Sequence, residues 1–338
     1  MDVSVIIVCW NSGQYIRECL ESIFRHGSGR AFEVLVVDNG STDDTPGIVE
    51  REFPKATLIR AGANLGFPRA NNLAFQQAKG RFYFLLNPDT RLESDAMDLL
   101  ATALEHHEPA AAAGPCIVEP DGTDSMFSVR EFPSLSGIFF RLFGLQKLFP
   151  EHPIIAKERL VSVDLAQVVA VPCLTGAAIM LDAGFIREYG GLDCTIPMYY
   201  EDVEICARMA AHRRQRLYVP QARLVHLGGR SAVMSPARRL LYALENAQAP
   251  WMYLRAYRSL FAAACFTGIT AAGILFRFLS AGVLWMSGSE DTARIWAESI
   301  SLLDWVFASK SRFPARVSGW FASAPQPSLS GENEGGGV

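Results

Sequence analysis

The sequence predicts an α/β protein: a mostly parallel central sheet, followed by a helical, apolar and basic C-terminal segment that associates with a membrane. Three observations carry this. Short β-branched runs alternate with helix-period segments up to residue 86 in the order βαβαβαβ, the pattern of a parallel sheet with crossover helices. Acidic and amide side chains stand at the ends of those runs, where open α/β sheets bind ligands. Ser259 to Phe276 carries no charged side chain and is flanked by Arg258 and Arg277.

The elements follow in order. Val3 to Trp10 reads as a buried strand because Val3, Val5, Ile6, Ile7 and Val8 are β-branched. It is too short, and follows too closely on Asp2, to read as a signal peptide. Asn11-Ser12-Gly13 ends it, and Ser12 can cap a helix over 14–24 whose apolar face is Ile16, Leu20, Ile23 and Phe24. A second strand, 33–37, ends at Asp38. A loop follows, then a helix capped near Thr42 or Asp43. A third strand covers 57–60, a helix 69–78, a fourth strand 82–86 and a helix 93–108. Residues 114–180 mix strands and loops, broken by Pro115, Pro120, Pro133, Pro150 and Pro153. A strand over 178–181, a helix over 202–213 and strand-like segments at 217–219 and 224–226 complete this part. No internal repeat is visible.

A chain of 338 residues suggests about two domains. The division we draw is 1–235 for the α/β body, 236–320 for the helical segment and 321–338 for a disordered tail rich in Pro, Ser, Glu and Gly. With half its residues apolar and 20% charged, the chain is neither disordered nor collagen-like. The net charge of −4 argues against a nucleic-acid partner. Charge is unevenly placed: residues 236–320 hold nine Lys/Arg and five Asp/Glu, against an acidic body. A basic, apolar segment on an acidic body suits an enzyme resting on anionic lipid. The uncharged run is at the short end for a span of about 20 residues, so surface association or shallow insertion is favoured over crossing. The seven cysteines are odd in number, lack CxxC spacing and lie mostly in apolar runs. Free buried thiols in a reducing compartment follow.

Several strand-end residues can carry chemistry. Asp38 can accept from the N3–H of a uracil or thymine ring, or bind a ribose hydroxyl; equally, Asp38-Asn39-Gly40 suits a simple turn. Asp89, in Asn87-Pro88-Asp89, can hold Mg²⁺ or Mn²⁺ against a diphosphate, and Pro-Asp is also a common turn. Glu201 and Asp202 open a helix, where acids favour the macrodipole; one facing a pocket could deprotonate a hydroxyl. His226 precedes Leu227-Gly228-Gly229 and could join Asp89 on a metal, touch phosphate or be structural. Asn64, Arg69 and Asn71 surround a helix start suited to phosphate or a base, or Asn64 simply caps it. Around Gly176, small residues leave room for a sugar, or for tight strand packing.

Taken together, these pieces resemble glycosyltransferase family 2, the inverting enzymes of the Rossmann-like GT-A fold, and within it the bacterial rhamnosyltransferase-like branch. The matching segments are VSVIIVCWN (Val3–Asn11), VVDNGST (Val36–Thr42), NLGF with Asn71, LLNPDT (Leu85–Thr90), CLTGAAIM (Cys173–Met180), YEDVEICAR (Tyr200–Arg208) and VHLGGRS (Val225–Ser231). They cover about the first 235 residues. The resemblance implies that Asp38 binds the pyrimidine, with Cys9 and Asn11 lining the nucleotide. It implies that Asp89 is the metal-binding acid of a DxD-like motif whose first position is Asn87, and that His226 reaches the metal or diphosphate. Asp202 would be the catalytic base, with Glu201 and Gly176 at the sugar and acceptor pocket. The donor would be a dTDP- or UDP-linked sugar, dTDP-rhamnose by resemblance. The acceptor would be a polyprenyl-linked glycan of a cell-envelope polysaccharide, met at the cytoplasmic face of the membrane.

Three rivals are weighed. Processive synthases share a QxxRW motif, and Gln248-Ala-Pro-Trp251 lacks its Arg and is one residue short. A nucleotidyltransferase needs a Gly-rich, basic loop after the first strand, which Cys9–Gly13 is not. A non-catalytic nucleotide-sugar-binding or scaffold subunit would have no need to keep Asp38, Asp89, Asp202 and His226 together.

Overall fold

The computed structural model describes residues 1–26, 29–125, 128–160, 162–195, 200–227 and 249–286. Tyr199, Gly228 to Ser231, Gln248 and everything from 287, including the expected tail, lie outside the described residues.

The chain begins β1 (Val3–Cys9), α1 (Ile16–Arg25), β2 (Phe32–Asp38), α2 (Thr45–Glu52), β3 (Thr57–Arg60), α3 (Phe67–Phe75), β4 (Phe82–Leu86). This is the expected alternation. The helix starts differ by a few residues. Ser12 does not cap α1 with its side chain; its carbonyl accepts from the Tyr15 and Ile16 N–H groups, and α1 begins at Ile16. Next come β5 (Thr90–Leu92), α4 (Ala96–His106), β6 (Ala110–Val118), β7 (Val129–Arg130), α5 (Leu135–Leu142), α6 (Leu145–Leu148), β8 (Val169–Ala170), β9 (Cys173–Leu174), β10 (Ala178–Asp182), α7 (Ala183–Tyr189), α8 (Glu201–Ala211) and β11 (Gln215–His226). A helix over 249–257 (α9) and α10 (Leu260–Met286) complete the described chain. The expected helix over 93–108 is shorter, because β5 takes Thr90–Leu92 and α4 starts only at Ala96.

The main sheet runs β3-β2-β1-β4-β10-β6-β11-β5, with β8 also on β11. Strands β1, β2, β3, β4, β6 and β11 point one way; β5, β8 and β10 oppose them. The expected mostly parallel sheet is thus mixed, with its antiparallel members beyond β4. Both faces are covered, which is why β1 is buried throughout. Its alternate residues enter two cores: Ile6 and Val8 one, Val5, Ile7 and Cys9 the other, against Ile16, Leu20 and Ile23 of α1 and Met97 and Leu100 of α4.

The described part of the 236–320 segment packs into the first of these cores. Ala249, Tyr253 and Leu254 of α9 and Ala263 and Phe266 of α10 are buried in it. The Tyr253 ring stacks on Phe132 with centroids 6.1 Å apart. Tyr257 Oη donates to Glu204 Oε1 at 2.6 Å on α8, and Arg208 holds the other Glu204 oxygen at 2.8 Å. No helix among the described residues is long and apolar enough to cross a membrane. All seven cysteines are free, as expected.

Candidate active site

The parallel register sets the site. Cys9 lies beside Asp38 at the ends of β1 and β2, and β4 ends next to them. The turn 87–90 leaves β4. Its first amide, Asn87 N–H, donates to the Ala177 carbonyl at 2.9 Å, and its Asn87 carbonyl accepts from Thr90 Oγ1 at 2.6 Å. This fastens the 87–89 turn to the 175–177 loop before β10.

Asp38 is buried, and its Oδ1 accepts from the Ser41 N–H at 3.1 Å. Asn11 takes a positive φ of 52°. Its Oδ1 accepts from the Thr42 and Asp43 amides at 2.8 and 3.3 Å, so it shapes the loop after β2. Asn64 Oδ1 accepts from Asn39 Nδ2 at 3.1 Å, and Asn39 Oδ1 accepts from the Leu65 N–H at 2.8 Å. The two loops meet at Gly40, where φ is +78° and an added Cβ would lie 2.8 Å from the Ala63 carbonyl carbon. Gly40→Ala therefore carries both strain and a backbone clash. We expect a stability loss of about 1–3 kcal/mol, read as an earlier midpoint in chemical denaturation; an unshifted midpoint would show that the loops can separate freely.

Two expected nucleotide contacts, Cys9 and Asn71, sit differently. Cys9 shares the parity of Val5 and Ile7, so its thiol is fully buried in the core rather than lining a ligand surface. Burial, then the nearby Cys19, Asp38, Asp43 and Asp89, push that thiol well up from its usual range. Asn71 is buried within α3 and donates to the Phe67 carbonyl of its own helix at 2.9 Å. Arg69, also on α3, lies near Cys194.

Asp89 and His226 come together as the motifs imply. The antiparallel register of β11 and β5 pairs His226 with Thr90, leaving His226 Nε2 3.2 Å from Asp89 Oδ1. The Leu227 N–H donates to the Asp89 carbonyl at 2.9 Å. Among the described residues no third His, Cys, Asp or Glu joins them. One carboxylate and one imidazole fit a divalent cation that takes its remaining ligands from substrate oxygens and water. The ion would supply charge neutralisation to a departing diphosphate.

Asp202 stands in the first turn of α8 and is buried with Glu201. Its Oδ2 accepts from the Gly176 N–H at 3.0 Å and its Oδ1 from the Val203 N–H at 2.7 Å. A Cβ on Gly176 would lie 3.3 Å from Asp202 Cβ and 3.7 Å from Glu201 Oε1. A bare backbone at 176 spares the amide's approach to Asp202 a tight contact with the Asp202 Cβ. The residue that sequence reasoning missed is Arg130, on β7, whose guanidinium pairs with Asp202 Oδ1. It also lies over the Tyr200 ring, 5.6 Å from the centroid. Burial works against its charge, but Asp202 together with Cys173, Tyr200 and Glu201 more than offsets that and raises its pKa above the usual range. No motif marks Arg130, which is 72 residues from its partner.

Comparison with known proteins agrees with this geometry. Residues 4–168 match the glycosyl transferase family 2. Over 249 residues, 70% of this chain and 79% of the relative, the sequence is 29% identical to the N-acetylglucosaminyl-diphospho-decaprenol L-rhamnosyltransferase of Mycobacterium tuberculosis. It is 26% identical over 230 residues to the low-salt glycan biosynthesis hexosyltransferase Agl10 of Haloferax volcanii, covering 66% of each. In fold it is similar to a mannosyltransferase of Pyrobaculum calidifontis solved with GDP-Man and Mn²⁺, with a TM-score of 0.54 at 18% identity over 94% of this chain and 84% of that one. Fold and site thus define a glycosyltransferase of GT-A-like α/β architecture. Over residues 4–168 the chain matches glycosyl transferase family 2, and over a longer stretch it is similar to an L-rhamnosyltransferase.

Proposed function

We propose that the protein transfers a sugar, rhamnose by its relatives, from a dTDP- or UDP-linked donor to a hydroxyl of a polyprenyl-linked glycan, with inversion. The observation that carries this is the cradle around Asp202. A buried carboxylate at a helix start is held by the Gly176 N–H, on a loop fastened to the Asn87–Asp89 turn. In this reading Asp202 takes the proton of the acceptor hydroxyl as that oxygen attacks the anomeric carbon in line with the leaving diphosphate. Asp38 and the Asn11–Asn64 loops hold the nucleoside, Asn87 faces the donor, and Glu201 orients the sugar or acceptor. Asp89 and His226 would hold Mg²⁺ or Mn²⁺. The test is to titrate a panel of nucleotide sugars with and without each cation, then assay transfer to a polyprenyl-diphospho-sugar. One dTDP- or UDP-sugar should bind in a metal-dependent way and be consumed; binding of none would overturn the reading.

We further propose that the chain works at the cytoplasmic face of a membrane. Leu260, Phe261, Leu275 and Leu279 of α10 are exposed, as are Leu148, Phe149 and Ile154 beyond α5. The two groups are joined where the Phe143 and Phe276 rings approach to 5.1 Å. Exposed Arg255 and Arg258 stand at one end, a charge complement to anionic headgroups. Vesicles containing phosphatidylglycerol should retain the protein in flotation, and Phe261→Asp with Leu275→Asp should release it. Wild-type protein that stays free of such vesicles would refute this placement.

A further inference from the structure

We propose that Arg130 binds a substrate diphosphate and, by leaving Asp202 to do so, frees that carboxylate to act. The inference rests on the reading of Asp202 as the base. Among the described residues three donors engage Asp202: Gly176 N–H on Oδ2, and Val203 N–H and the Arg130 guanidinium on Oδ1. While the Arg130 guanidinium and the Val203 N–H share Asp202 Oδ1, a hydroxyl approaching that oxygen must compete with them for it. The two backbone donors are fixed by α8 and by the loop before β10. Among the described residues, Arg130 is the one donor to Asp202 on a rotatable side chain.

The pair is also lopsided. The Arg130 side chain is 38% exposed and that of Asp202 10%, so an anion entering from solvent meets the guanidinium first. Arg130 grips Asp202 through Nη2, while its buried Nε has no hydrogen-bond partner among the described residues. Its capacity for a two-point grip, which a phosphate matches well, is left unspent. Arg130 faces Cys173 across the β7–β9 pair, two residues from the Thr175–Ala177 loop that meets the Asn87–Asp89 turn. It therefore stands on the acceptor side of the place where a donor diphosphate would meet Asp89. Two diphosphates could use it, that of the nucleotide donor and that of a polyprenyl-linked acceptor. In either case the base is released only when substrate charge is present.

The experiment measures the affinity of the full chain for UDP, dTDP and farnesyl diphosphate, in wild type, Arg130→Gln, Arg130→Lys and Asp202→Asn, each checked for folding by thermal melting. Arg130→Gln should weaken diphosphate binding by about tenfold or more, and Arg130→Lys by less, since it keeps the charge but not the planar fork. Asp202→Asn should tighten binding, because it removes the competing anion, an effect that a purely structural arginine would not produce. Loss confined to farnesyl diphosphate assigns the site to the acceptor, and loss on UDP or dTDP assigns it to the donor. Wild-type affinity for all three probes in both Arg130 variants overturns the site, and failure of Asp202→Asn to tighten binding overturns the latch. The base assignment is tested separately: an Asp202→Asn protein that still transfers sugar removes the base and leaves the anion result standing on its own.

Discussion

Asp202→Asn should reduce sugar transfer by about 10²–10⁴-fold while donor binding survives. The magnitude is that of a lost general base. The substitution keeps shape and removes the charge, so the loss reports proton transfer rather than a cavity. It also leaves the Arg130 cation without its anion. Removing the buried partner of a half-buried ion pair is destabilising, and the amide can offer Gly176 and Val203 only one acceptor oxygen. A lower melting temperature is therefore expected alongside the loss of activity, and transfer must be measured well below it. The informative comparison is kcat against donor affinity in the same preparation. A protein that binds donor at least as tightly as wild type and has lost transfer supports the base. One that retains wild-type kcat eliminates Asp202 as the base and turns attention to Glu201, whose Oε1 lies on the same side of the Gly176 loop.

What the sequence disclosed follows physical rules that a single chain can display. Strands β1, β2 and β4 were legible because both of their faces are largely buried, which writes them as continuous apolar runs. Strand β6 was not. Ala110 to Ala113 followed by Gly114-Pro115 has little strand propensity, and the segment becomes a strand because it lies between β10 and β11. Small residues there admit close neighbours: a Cβ on Gly114 would lie 2.6 Å from Leu174 Cδ2. Tertiary packing overrode local preference. The site divides in the same way. Asp38 and Asp89 were visible at strand ends. The meeting of Asp89 with His226 depends on the register of β11 against β5, which no local pattern encodes, so the sequence could offer it only as one of several roles for His226. Cys9 was misplaced although the alternation of β1 already put it on the core face with Val5 and Ile7. Arg130 gave no signal, since an isolated arginine in a proline-broken stretch looks like any surface cation.

Asp89→Ala should abolish metal-dependent donor binding and lower transfer on the order of 10³-fold, the several kcal/mol that a divalent cation contributes at a developing diphosphate. The local structure makes this a clean test. The turn 87–90 is held by the Asn87 backbone and Thr90, and β11 reaches Asp89 through the Leu227 N–H on its backbone carbonyl. None of these bonds uses the Asp89 side chain, so alanine should leave the seam between β5 and β11 intact. His226→Ala should cost less, because the carboxylate that carries the charge remains. Donor titrations with Mn²⁺ and with a chelator, on both variants and on wild type, separate the contributions. In wild type the chelator should weaken binding sharply; in Asp89→Ala it should make no difference, both curves falling on the weak one. Donor affinity that is the same with metal and with chelator in wild type would show that Asp89 and His226 are partners to each other and not to a cation. The positive charge opposing the diphosphate would then have to come from side chains, and Arg130, paired with the proposed base Asp202, is the candidate among the described residues.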